Sequence, residues 1–361
     1  MADLDFIVPG ALVSAPLAPD LLRELDLPHL ARIARYASER TDLATQADSS
    51  LAPWQAYVFG SNARTGFEDA DINLAELWAM ACGLPQVRGG SGRWLVEPAH
   101  FRIAQDHLRL DDPHGLAITL AEAKALSAAI ARPLEEAGWR LEPVAPATCS
   151  HWFLLRDDAY DLSGAALDRA ISDNVARWQP KAIRDPALAA SPATALDEPG
   201  LAWRRCVNEI QMLWFGHPVN EAREARGQPT INALWLSGNG AAATPLPHYR
   251  AIDSTLPLLA ALPIEPAATR VLESFDALIT PARGQDWASW RASLLALDAR
   301  LGEILRLQRE GKVDTLALAL FGIDRGRVLH IASRDLGKFW RAWGTGAALS
   351  DVFTEQAVAT S

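Results

Sequence analysis

The chain has 361 residues, 49% hydrophobic and 22% charged, with a formal net charge of −10. That length and composition suit one large or two ordinary globular domains and exclude a disordered chain. The acidic balance disfavours tight non-specific binding to nucleic acid, which needs Lys and Arg to neutralise phosphates.

The acidic N-terminus lacks the positive segment of a signal peptide, and no apolar run approaches the ~20 residues that span a bilayer. A cytoplasmic protein without a membrane partner is expected. Cys82, Cys149 and Cys206 are widely spaced and form no CxxC, so neither a disulfide framework nor a zinc knuckle is expected.

In chain order, Leu4 to Val8 is an apolar run ended by Pro9-Gly10, a buried first strand. Pro28 to Ser38 reads as a helix with Leu30, Ile33, Ala34 and Ala37 on one face. Ala75 to Cys82 is a second helix closed by Gly83. Gly89 to Gly92 is a loop, read as a hinge more than an anion cradle, and Trp94 opens a strand. Phe101–Ile103 and His107–Leu110 alternate as a hairpin around Ala104-Gln105-Asp106. Thr119 is the expected N-cap of Leu120 to Ala137, Glu122 completes a capping box, Gly138 ends the helix and Pro133 should kink or split it. Trp152 to Leu155 is another strand. These pieces suggest an inserted α+β subdomain, 89–156, in a core made of 1–88 and 157–361.

Arg184 to Gly200 is rich in Ala, Pro, Asp and Ser and reads as a loop. Val271 to Thr280 is apolar and strand-like at its end. Ala288 to Glu310 is a long helix with a stripe of Trp290, Leu294, Leu297, Leu301, Ile304 and Leu305, ended by Gly311. Thr315 to Phe321 suits a buried parallel strand, with Arg327 to Ile331 as a hairpin partner. Among the 13 tryptophans, Trp287, Trp290, Trp340 and Trp343 come late; core packing is expected of them, with a stacking surface as the alternative. A local basic patch could form from Arg325, Arg327, Arg334, Lys338 and Arg341.

The densest polar stretch runs from Asn208 to Gly240. An amphipathic segment, Asn208 to Phe215, leads into His217-Pro218-Val219-Asn220; then come Arg223, Arg226, a Gly227-x-Pro229 turn, Asn232 and an apolar strand closing on Gly238 and Gly240. Two readings stay open. In one, His217 caps the helix that ends before it, Asn220 caps the turn Glu221 to Arg226, and the arginines pair with carboxylates. In the other, His217, Asn220, Arg223, Arg226 and Asn232 grip a phosphate or carboxylate ligand.

The order His217-Pro218-Val219-Asn220, Arg223, Gly227, Pro229, Asn232 resembles the bacterial regulatory protein RpfE family, itself held to resemble archaeal-type, 2,3-bisphosphoglycerate-independent phosphoglycerate mutases. The resemblance implies an alkaline-phosphatase-like α/β/α sandwich with a small inserted α+β domain. It also implies where a two-metal phosphomutase keeps its chemistry: carboxylates and histidines at strand ends, because those groups ligate divalent ions, and a serine nucleophile. After the first strand this chain has Pro9-Gly10, with Asp3 and Asp5 earlier. Before the long helix it has Arg283-Gly284-Gln285-Asp286. After the following strand it has Asp324-Arg325. Ser49 and Ser50 stand where the nucleophile should fall.

Ser50 and Asp324 are therefore the catalytic candidates, and Asp286 and Asp324 the metal candidates. Two carboxylates without a matched histidine cannot hold two metals, so no cofactor is expected; two divalent ions such as Mn or Zn are the alternative. The expected function is a regulatory pseudoenzyme that binds a phosphorylated or carboxylate metabolite or a protein. The alternatives are an active metal-dependent mutase or phosphatase, or a metal-free enzyme with His217 or His100 as general base. Glu97, His100 and His107 form a loose group read first as solvated hairpin residues, and Asp111, Asp112 and His114 as turn chemistry.

Overall fold

The computed structural model describes residues 2–44, 49–59, 72–87, 91–104, 107–158, 160–171, 174–182, 198–240, 246–337 and 349–355. Contacts divide the chain into two units, one of 1–47, 52–68 and 246–361, the other of 48–51 and 69–245. The class is α/β, as expected. The expected insert, 89–156, falls inside the second unit, whose sheet also takes the strand Ala233–Ser237.

The first unit is built on a mixed sheet of six strands among the described residues, in the order Ala251–Asp253, Arg270–Ser274, Ala2–Pro9, Val313–Phe321, Arg325–Ala332, Glu39–Ala44. The first four run parallel, and Arg325–Ala332 turns back antiparallel. Alternation decides the two faces. Leu4, Phe6, Val8, Leu316, Leu318 and Leu320 meet the helices Pro28–Tyr36 and Trp287–Arg309, whose Leu30, Ile33 and expected stripe from Trp290 to Leu305 are all buried. On the other face Phe321 packs on Tyr57 of the helix Pro53–Phe59, ring centroids 5.5 Å apart. Burying side chains of Leu or Phe size contributes ~1.5–3 kcal/mol each, so this double-faced core is the unit's main source of stability.

The second unit carries an antiparallel sheet in the order Arg140–Leu141, Trp152–Arg156, Gly92–Ala99, Ala233–Ser237. The helices Leu120–Glu136 and Glu198–Phe215 cover one side with Leu126, Ile130, Leu134, Trp203, Ile210 and Trp214. Pro98 sits within a strand, yet Gly92–Ala99 pairs with Trp152–Arg156 only over residues 92–96. Pro98 thus has a single neighbouring strand, which a residue without an N–H tolerates. Gly240 has a positive φ of 71°, and a Cβ there would lie 2.3 Å from the Trp94 ring, so glycine is required.

Several expectations are corrected. Pro133 does not split its helix, which runs unbroken over Leu120–Glu136; Pro133 and Leu134 are buried in the core, and packing outweighs the lost backbone bond. Glu198 to Gly200, read as loop, form the first turn of Glu198–Phe215; 183–197 lie outside the described residues. The strand in Val271–Thr280 lies at its start, as Arg270–Ser274, and its end belongs to the helix Ile279–Gly284. Of the basic patch expected from Arg325, Arg327, Arg334, Lys338 and Arg341, Arg327 drops out, whereas Arg334 is exposed and Arg325 half-buried. Arg327 is buried, bonded to Asp42 and to the carbonyls of Asp351, Val352 and Thr354. Lys338, Trp340, Arg341 and Trp343, like Gly89, Gly90, Gln105 and Asp106, lie outside the described residues. Trp290 is fully buried, and Trp287 packs against the same core.

Candidate functional site

The polar block folds into the helix Pro218–Ala225 and the turn that follows it. His217 is the N-cap of this helix, its Nδ1 accepting from the Val219 N–H at 3.2 Å, while its own N–H donates to the Trp214 carbonyl in the last turn of the preceding helix at 3.2 Å. Asn220 lies inside the helix and is not its cap. Its amide donates to the carbonyls of Trp214 (2.7 Å) and Ile231 (2.8 Å), and its oxygen accepts from the Ile231 N–H (2.8 Å). Three bonds from one buried side chain tie the end of one helix to the start of a strand.

Arg223, 1% exposed, donates to the carbonyls of Pro229 (2.7 Å) and Leu116 (2.5 Å) and to Glu122 (3.2 Å). Arg226 donates to the other Glu122 oxygen at 3.0 Å and to Gln228 at 2.8 Å. Asn232 exchanges two bonds with the Phe101 backbone, at 2.7 and 3.0 Å. The five residues are thus brought together, each hydrogen-bonded to other groups of the chain. Burial alone would raise the Glu122 carboxyl, but hydrogen bonds from Thr119 and the Arg223 guanidinium outweigh it and hold Glu122 below its ordinary range.

At the carboxyl end of the first strand, Gly10 has a positive φ of 79°, and a Cβ there would lie 2.7 Å from the Leu278 carbonyl oxygen. Trp290 Nε1 donates to the Gly10 carbonyl at 2.8 Å, and the N–H groups of Ala11 and Leu12 donate to the Phe321 carbonyl at 2.8 and 3.1 Å. Upstream, Asp3 accepts from Thr315 at 2.5 Å, and Asp5 is ion-paired to Arg270 and hydrogen-bonded to Tyr249. Burial is the largest influence on Asp5 and raises it despite these partners.

Asp286 is the N-cap of Trp287–Arg309, accepting from the Ser289 N–H at 3.1 Å. The Asp324 N–H donates to Glu355 at 2.9 Å. Ser50 belongs to the second unit, where its carbonyl accepts from the Ala166 N–H at 2.6 Å; the Arg169 Nε donates to the Ser49 carbonyl at 3.3 Å. Among the described residues, no group of three His, Cys, Asp or Glu stands where it could hold a metal ion.

The Glu97–His100 group separates. His100 Nδ1 lies 2.7 Å from the Thr230 carbonyl oxygen. Glu97, 8% exposed, faces His151, which sequence reasoning missed: His151 Nε2 stands 3.5 Å from Glu97 Oε1, and Nδ1 is 3.0 Å from Ser150 Oγ. Trp78 stacks on the imidazole at 3.9 Å. Its signal was only a Ser-His pair at the start of a strand. Burial pushes the Cys206 thiol up to about 11 and raises Cys82 and Cys149, which suits packing thiols more than nucleophiles.

The chain is thus an α/β protein whose two largest sheets among the described residues are one mixed, of six strands, and one antiparallel, of four, with its polar block bonded to its own chain. No protein-family model matches it, and no curated protein matches it. Among solved structures it is similar to the cofactor-independent phosphoglycerate mutase from Thermoplasma acidophilum DSM 1728, at 12% identity over 98% of this chain and 98% of that chain, with a TM-score of 0.43. It is also similar to the PH0037 protein from Pyrococcus horikoshii, at 13% identity over 92% of this chain and 87% of that chain, with a TM-score of 0.49. No helix among the described residues is long and apolar enough to cross a membrane.

Proposed function

We propose that this chain is a phosphoglycerate-mutase-like, regulatory protein of the RpfE type, which acts by binding a metabolite or a protein and not by two-metal phosphoryl transfer. The observation that carries the reading is the packed end of the first strand. Open parallel sheets take their ligands in the crevice beyond the strands' carboxyl ends. Here Gly10 lies against the Leu278 backbone, under Trp290, with Ala11 and Leu12 bonded to Phe321. Phosphomutase chemistry would need carboxylates and imidazoles at that edge, close enough to share two cations. The side chains of Asp286 and Asp5 are committed to a helix cap and an ion pair. In the polar block Asn220 donates to carbonyls and Arg223 to carbonyls and the Glu122 carboxylate, so these two brace the second unit, and a metabolite would have to be met by other groups.

Metal analysis of the purified chain, joined to a phosphoglycerate mutase assay with manganese or zinc added, tests this. Little bound metal and no turnover are expected. Two metals per chain, with turnover lost on Ser50→Ala, would overturn it. A thermal-shift screen of phosphorylated and carboxylate metabolites then separates metabolite from protein as the ligand.

A further inference from the structure

We propose that Ser150, His151 and Glu97 form a second, independent site in which Ser150 is a nucleophile toward small carboxylic esters. Activated serines are recognised by geometry: a hydroxyl within hydrogen-bond reach of a base that a third group orients. Ser150 Oγ is 3.0 Å from His151 Nδ1, and His151 Nε2 is 3.5 Å from Glu97 Oε1. With Nε2 protonated and facing the carboxylate, Nδ1 is left to accept from the serine hydroxyl.

The burial gradient runs the way the chemistry requires. Glu97 is buried within Gly92–Ala99, His151 is 21% exposed, and Ser150 is open to solvent. Trp78, stacked on the imidazole at 3.9 Å, fixes the ring plane and gives the site an apolar wall. Neither Ser150 nor His151 belongs to the polar block, and the site stands or falls apart from the binding role proposed above.

In the reaction the Ser150 Oγ lone pair forms a bond to the ester carbon while the hydroxyl proton passes to His151 Nδ1. The tetrahedral adduct collapses, the carbon–oxygen bond to the leaving alcohol breaks, and the departing oxygen takes the proton from His151. Water repeats the sequence on the acyl-serine, releasing the acid and restoring the hydroxyl. Glu97 touches no reacting atom; it is a positioning residue that holds the tautomer.

The experiment is covalent labelling of the full chain with a fluorophosphonate, which forms an Oγ–phosphorus bond and expels fluoride. Peptide mass spectrometry should place the adduct on Ser150. His151→Gly should slow labelling on the order of 10²-fold, the scale of general-base assistance, and added imidazole should restore it. Glu97→Gln should slow it and Glu97→Asp recover part of the rate, with melting midpoints recorded for each variant. An adduct spread over many serines, or one on Ser150 whose rate ignores both His151→Gly and imidazole, would overturn the proposal. Should His151→Gly fail to fold, the Glu97→Gln and Glu97→Asp rates decide alone: equal to the parent's, they overturn it.

Discussion

Arg223 makes the clearest residue-scale argument. Its guanidinium is 1% exposed and its fork divides among two carbonyls and one carboxylate. A planar fork can meet three acceptors in fixed directions; an ammonium on a flexible stem cannot. Arg223→Lys therefore keeps the charge and loses the geometry, leaving the Pro229 or Leu116 carbonyl without its donor. Each buried acceptor left unmet costs about 1–3 kcal/mol. The expected outcome is a urea midpoint well below the parent's at unchanged slope. A midpoint unmoved by Arg223→Lys would mean that the arginine is held for a ligand and not for its carbonyls. Sequence alone reached the density of polar groups around Arg223 but not their direction. The partners, Leu116 and Glu122, lie about a hundred positions upstream, and no spacing rule links them.

At the scale of elements, the helix Leu120–Glu136 shows how a local signature becomes a tertiary joint. Thr119 and Glu122 form the capping box that their spacing predicts, with the Glu122 carboxylate accepting from the Thr119 N–H at 2.9 Å. The same carboxylate also receives Arg223 from another helix and Arg226 from that helix's C-terminal cap. Glu122 is held below its ordinary 4.5. A carboxyl whose folded value is depressed contributes stability that is complete above the unfolded value and is lost as pH falls through the folded one. Between about pH 5 and pH 3 the parent should lose urea resistance more steeply than Glu122→Gln, which has no proton to gain. Parallel curves for the two would show that the carboxylate adds nothing at neutral pH. Legibility varied among elements for a similar reason. The stripe from Trp290 to Leu305 and the run Thr315 to Phe321 are visible because burial on one face or both imposes a pattern. Among the described residues Glu39–Ala44 is an edge strand, paired with Arg325–Ala332 alone; its charged sequence, ERTDLA, suits an exposed edge and carries no apolar pattern to read.

For the whole molecule, each unit has a core of its own. Leu301 and Ile304 belong to the core beneath the six-stranded sheet, and Leu126 and Ile130 to the core beneath the antiparallel one. The α/β class was legible because strands and helices alternate in sequence. The extent of the second unit was not, since Ala233–Ser237 pairs with Gly92–Ala99 across more than a hundred residues, and nothing local announces a partner so distant. Removing a buried leucine side chain costs about 2–5 kcal/mol, including the cavity left behind. If each core sets the opening free energy of its own sheet, that loss should be read locally in hydrogen exchange. Leu301→Ala should speed exchange of the amides of Ala2–Pro9 and Val313–Phe321, and Leu126→Ala those of Trp152–Arg156 and Ala233–Ser237. Equal acceleration of both sheets by either substitution would show that the chain opens as one cooperative unit, whatever the division of its contacts.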